Sequence, residues 1–207
     1  MADLPLRSAD PALQSRLAHV IDREGKIPAA LESLGPVADR EVVLLDADAG
    51  LRASQLRSLG AHVRRLIGPT PLRVAPASAD VLVSFWSGFQ GATSDWDVQM
   101  AHAERVLRPG GRLLVVHDYG QDEVTGLLGD EARQRELVAW SRRDGWFLRH
   151  GFKVRTLHCW WTWASIDEAR EMLTALFGDA GAAVADGMRR PRLAYKVAVY
   201  HRGVGGS

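Results

Sequence analysis

The chain has 207 residues, 46% of them hydrophobic and 25% charged, the make-up of an ordinary globular domain. Its 26 basic and 25 acidic side chains leave a formal net charge of +1, so no overall field attracts nucleic acid or an anionic membrane. One cysteine, Cys159, excludes an intramolecular disulfide and argues against a Cys-based metal site, and no apolar run reaches the ~18 residues that span a bilayer.

The opening MADLPLRSADP lacks the basic and apolar regions of a secretory signal, which points to a cytoplasmic protein. Asp10 then caps a helix with Pro11 at its first position, and Leu13, Leu17, Val20 and Ile21 form one apolar stripe. Gly25 is predicted to end that helix, and a shorter one follows over 28–34. Residues 41–46 (EVVLLD) make a continuous apolar strand, 52–59 a short helix and 61–67 a second strand. Residues 80–85 (DVLVSF) form another buried strand. Trp96, Met100, Ala103 and Leu107 share one helical face, Pro109-Gly110-Gly111 stops that helix, and 112–117 returns as a strand. One long helix is predicted over 130–150 and a strand over 153–163. A helix over 165–177 follows, with Ser165 and Glu168 as a capping box, and a last strand spans 194–201.

Strands alternating with helices imply a largely parallel, twisted α/β sheet with right-handed crossovers. Such sheets bind ligands beyond the carboxyl ends of their strands, at the switch point of the winding. The site is therefore expected near Asp46–Gly50, Ser84–Trp86 and His117–Tyr119.

The stretch VLRPGGRLLVV at 106–116 resembles the helix–turn–strand signature of the class I S-adenosylmethionine (SAM)-dependent methyltransferases, in particular the small type 11 group. ADVLVS at 79–84 matches that family's preceding strand. The closing run of GFKV, LFG at 176–178 and YKVAVY is similar to its ending. The resemblance implies a Rossmann-like methyltransferase domain over 28–202, its last strand antiparallel, preceded by a helical segment over 1–27 and followed by a disordered tail over 203–207. It also implies SAM as cofactor. The cofactor-binding positions it marks are Asp46, Asp48, Gly50, Arg52, Ser84 and Trp86.

Three departures fall on those positions. Asp48 and Arg52 stand where the family has glycines that let the backbone approach the methionine part of SAM. Ile67 aligns with the acid that holds the ribose hydroxyls, and a lost charge-assisted hydrogen bond of that kind costs about 1.5–3 kcal/mol. Between the second strand and Asp80 the family places a helix and a third strand, whereas here Pro69, Pro71 and Pro76 forbid a helix, so the sheet is expected to be shortened on that side. The expected function is thus a methyltransferase-like protein with a degenerate SAM site. It would act through binding or assembly, on an unidentified small molecule or protein partner, with a homo-oligomer among the forms considered. An active small-molecule methyltransferase and an anion or nucleotide binder are the alternatives.

For an enzyme, His117 and Asp118 are the candidate catalytic pair, the imidazole as general base, with Tyr119 as a wall of the substrate pocket. Arg52, near a helix N-terminus, either attracts an anion or bonds a neighbouring aspartate and plugs the pocket. The seven histidines show no metal-ligand spacing on any one element. Alternation sends Trp161 and Trp163 to one face of their strand with Cys159, and Trp160 to the other.

Overall fold

The computed structural model describes residues 10–45, 50–66, 72–89, 96–120, 122–127 and 131–205. Two helices open the chain, α1 (Pro11–Val20) and α2 (Lys26–Leu34). Asp10 accepts a hydrogen bond from the Ala12 amide at 2.8 Å, the cap expected from the sequence. Gly25 is corrected: α1 has ended by Val20, and Gly25, in the left-handed region, begins α2 instead. The buried Asp22 carboxylate takes the first free amides of α2, Lys26 at 2.9 Å and Ile27 at 2.6 Å.

A six-stranded sheet follows, built from β1 (Glu41–Leu45), β2 (His62–Leu66), β3 (Ala79–Phe85), β4 (Leu107–Asp118), β5 (Lys153–Thr162) and β6 (Arg192–Gly203). Its order is β2-β1-β3-β4-β6-β5. The first four strands pair in parallel, and β6 runs antiparallel to both β4 and β5. Parallel neighbours need crossover helices, supplied by α3 (Leu51–Ser58) between β1 and β2 and by α4 (Trp96–Val106) between β3 and β4. The edge strand β2 has no further neighbour among the described residues, and 72–78 holds neither helix nor strand.

Side-chain alternation divides the apolar residues into two cores. Leu114 and Val116 of β4 join Val42, Val83 and Val197 under α1 and α2. Leu113 and Val115 join Val43, Leu82 and Tyr200 on the other face, under α4 and an aromatic cluster. In that cluster Phe147 stacks on Tyr200 with ring centroids 3.8 Å apart and meets Trp96 edge-on at 5.2 Å.

Two boundaries are corrected from the predicted ones. The Pro-Gly-Gly turn lies inside β4 rather than before it: Ala79 pairs with Leu107 and Val81 with Arg112, so the intervening residues bulge out of register. The single helix predicted over 130–150 is two, α6 (Glu131–Trp140) and α7 (Trp146–Arg149), after a short α5 (Glu123–Leu127). The run Ser141-Arg142-Arg143-Asp144 offers no apolar side chain to the core, and tighter turns replace the helix there, Arg142 to Ala139 and Gly145 to Arg142.

The last helix, α8 (Ile166–Gly187), is a hairpin of two halves. Ser165 caps it through the Glu168 amide at 3.1 Å, as predicted, while the Glu168 carboxylate reaches the Ala164 amide at 2.8 Å. Gly178 has φ 59° and ψ −138°, which only glycine adopts readily, and the helix reverses there. Arg170 and Asp186 form an ion pair, although a straight helix would set them roughly 24 Å apart. A Cβ at Gly181 would overlap the Leu173 carbonyl, so the two halves meet backbone to backbone at that point.

Gly181→Ala should therefore lower stability by about 1–3 kcal/mol in thermal or urea unfolding, by splaying α8. Gly187→Ala, where a Cβ meets nothing within 4 Å, should be neutral or slightly stabilising in the same measurement.

Candidate functional site

The carboxyl ends of β1, β3 and β4 meet at the switch point, and the predicted residues gather there. Asp46, Asp48 and Ile67 lie outside the described residues. Gly50 caps α3 with φ 98°, a turn that needs a glycine. Arg52 follows in the first turn of α3, and its side chain points inward with only 1% of its surface exposed. Its guanidinium lies 5.5 Å from the Phe85 ring centre and 6.0 Å from that of Trp86, and donates to Gln55 Oε1 at 3.0 Å. A cation in the first turn opposes the helix dipole, so this placement must draw its stabilisation from elsewhere. The rings supply part through cation–π attraction. The Asp22 carboxylate also favours it: burial raises the Asp22 pKa, and the α2 amides and then the Arg52 charge pull against that rise.

Trp86 leaves β3 with φ 43°, an uncommon conformation for a bulky residue. Its amide still bonds the Val116 carbonyl at 3.0 Å, and its indole N–H donates to Asp118 Oδ1 at 2.8 Å. The Tyr195 hydroxyl donates to the same oxygen. Asp118 is thus a buried acceptor, 1% exposed, gripped from β3 and β6. Burial and the Asp118 charge together hold the Tyr195 phenol well above its ordinary range.

His117 points to the opposite face of the sheet. Its Nε2 lies 3.0 Å from the Phe89 carbonyl, and its ring packs 5.1 Å from Trp140. Gln99 accepts from the Phe89 amide, so both sides of Phe89 are tied down. Ser84 donates its hydroxyl to the Ser87 carbonyl within the same turn. Tyr119, partly buried, packs on the aromatic core, and its amide donates to the Lys196 carbonyl at 3.0 Å. The structure therefore separates the predicted catalytic pair: Asp118 faces the Arg52 side and His117 the aromatic side.

Sequence reasoning missed Asp22, Tyr195 and Gln99. Tyr195 carried a signal, since it alternates with Val197 and Val199 on the inward face of β6. Asp22 carried little, because a cap that reaches amides four and five residues on has no simple spacing rule. Cys159 sits beside Asp22, and burial followed by the Asp22 charge pushes its thiol up to about 12. Trp160 lies on the other face, where Arg192 covers its ring at 4.1 Å. Among the described residues no cluster of three His, Cys, Asp or Glu is placed to hold a metal ion. None of the described helices is long and apolar enough to cross a membrane.

No family model matches the chain, and no curated protein does. Solved structures do. The MccD protein superposes with a TM-score of 0.51 at 7% identity, covering 84% of this chain and 96% of its own. A protein described as a sarcosine dimethylglycine methyltransferase from Galdieria sulphuraria superposes at 0.50 with 11% identity, covering 86% and 85%. A type II methyltransferase from Anaeromyxobacter dehalogenans gives 0.48 at 17% identity, covering 86% and 95%. With the strand order and the antiparallel β6, the first two of these likenesses establish the class I methyltransferase fold.

Two tests probe the site. Tyr195→Phe removes one of the donors to the buried Asp118 and should cost about 1.5–3 kcal/mol in denaturant unfolding. The Cys159 thiol should not react with a disulfide reagent at pH 8 until the protein unfolds. A thiol whose pKa is raised on folding contributes stability that is complete below its ordinary value of 9.0 and lost as pH rises toward 12. Cys159→Ala should accordingly flatten the alkaline fall in stability.

Proposed function

We propose that this is a methyltransferase-fold protein whose cofactor cleft is closed to SAM by its own side chains, and that it works by binding. The single observation that carries the reading is the burial of Arg52 across Phe85 and Trp86 at the switch point. The residues present do not suit SAM held in the family's manner. SAM brings a sulfonium cation, and the Arg52 guanidinium offers repulsion at a position where the family has a glycine. The Trp86 indole, which could otherwise flank a ligand, is turned inward onto Asp118. His117, 2% exposed, spends its Nε2 on the Phe89 carbonyl, which leaves that nitrogen engaged rather than free to take a proton from a substrate.

A protein partner or a second copy of the chain suits this reading better than a methyl acceptor. The lone buried thiol accords with a reducing compartment such as the cytoplasm.

Calorimetry with SAM and with S-adenosylhomocysteine tests the proposal. Neither should bind more tightly than about 100 μM. S-adenosylhomocysteine lacks the sulfonium charge, so binding of that ligand alone would confine the obstacle to electrostatics and leave the cleft open. Micromolar binding of SAM would sink the reading and restore the active methyltransferase.

A further inference from the structure

The opposite end of the sheet carries charge that the cofactor side does not explain. Pairing sets Arg112 of β4 across from Gly203 of β6, and His201 of β6 across from Lys153 of β5. Alternation places all three polar side chains on the face of Leu114 and Val199. With Arg202 they line a cavity of about 580 Å³ whose other walls are mostly glycine backbone, and no carboxylate belongs to its lining.

The charges there are unequally answered. Arg202 pairs with Glu104 at 3.0 Å and donates to the His150 carbonyl at 3.1 Å. Neither Arg112 nor Lys153 has a carboxylate partner among the described residues. Arg155, next along the same face of β5, donates to the Ser33 hydroxyl at 3.1 Å, a neutral partner. The end of α2 at Gly35 packs against the Arg112 stem and brings a carbonyl dipole worth roughly half a charge, too little to neutralise three cations. His201 registers this field: burial, then Lys153, Arg112 and Arg155, hold its pKa below the ordinary value.

We propose that this cleft binds a small soluble phosphoanion, a diphosphate group or the phosphorylated end of a metabolite-sized molecule, gripped by Arg112 and Lys153 with His201 as a further donor. The volume lies within the range of small-molecule sites. Arginine offers a planar fork to phosphate oxygens and lysine a compact point charge, the combination such anions favour. Glycine walls let the oxygens approach backbone without Cβ interference. This site is independent of the SAM cleft at the other end of the strands.

The test uses inorganic pyrophosphate with the full chain at low salt, followed by calorimetry and by the imidazole proton signals. Saturable binding is expected, with the His201 resonance, assigned through His201→Gln, moving on titration. Its pKa should rise when the anion is bound, so affinity should increase as pH falls. Arg112→Gln and Lys153→Gln should each weaken binding by about tenfold or more. Arg142→Gln, on the exposed turn between α6 and α7, should not change it. Near-ultraviolet dichroism checks that each variant is folded; if Arg112→Gln is not, Lys153→Gln and the wild-type His201 shift decide. The proposal is overturned if binding fails to saturate, if Arg142→Gln weakens it equally, or if phosphatidylserine vesicles are bound while pyrophosphate is not.

Discussion

A guanidinium buried at the start of a helix is the constraint around which the carboxyl end of this sheet is arranged. The helix dipole and the loss of water both work against Arg52. Its burial persists because aromatic faces and a carboxylate surround it. Phe85 and Trp86 provide the faces, and Asp22 the opposing charge. Each of those partners is fixed by something else: Asp22 by the amides of α2, Trp86 by Asp118, and Asp118 by Tyr195. The helix α2, the turn after β3 and the antiparallel β6 are joined through one buried polar tract. Removing any single member leaves another without its partner, and that asymmetry makes such tracts cooperative.

The same tract explains why the turn after β3 holds its strained backbone. Trp86 and Phe89 both have positive φ, a conformation that costs energy in bulky residues. On one face Asp118 holds the Trp86 indole. On the other, Gln99 and His117 take the Phe89 amide and carbonyl. Adjacent residues of β4 therefore serve opposite faces of one turn. The strain at this switch point is matched by internal bonds, among them those of Asp118 and His117.

How much of this was legible depended on whether the signal was local. β1, β3 and β4 were legible because a strand buried on both faces reads as an unbroken apolar run. The antiparallel ending was legible too, from the family resemblance, and so was the lack of a helix over 72–78, where Pro76 stands. The α8 reversal was not, because both halves share a helical period and a glycine within a helical pattern gives no hint of direction. The break between α6 and α7 was missed for a related reason: Ser141–Asp144 are individually tolerable in a helix, and only the absence of an inward apolar residue argues against one. In the site, Arg52 was legible as a misplaced residue and its burial was not, since Asp22 and Trp86 reach it from segments 30 and 34 residues away in sequence.

The two ends of the sheet present opposite electrostatic solutions. At the carboxyl end the Arg52 cation is enclosed by rings and a carboxylate, and its charge is answered inside the fold. At the amino end, Arg112 and Lys153 stand over a glycine-walled cavity without carboxylates, and their charge is available to a ligand. On the proposed reading, a fold that ordinarily places its chemistry beyond the carboxyl ends has kept that region for its own cohesion. Stability and function compete for the same buried polar groups. Where internal partners have taken them at one end, the unanswered charge at the other becomes the better candidate for recognition.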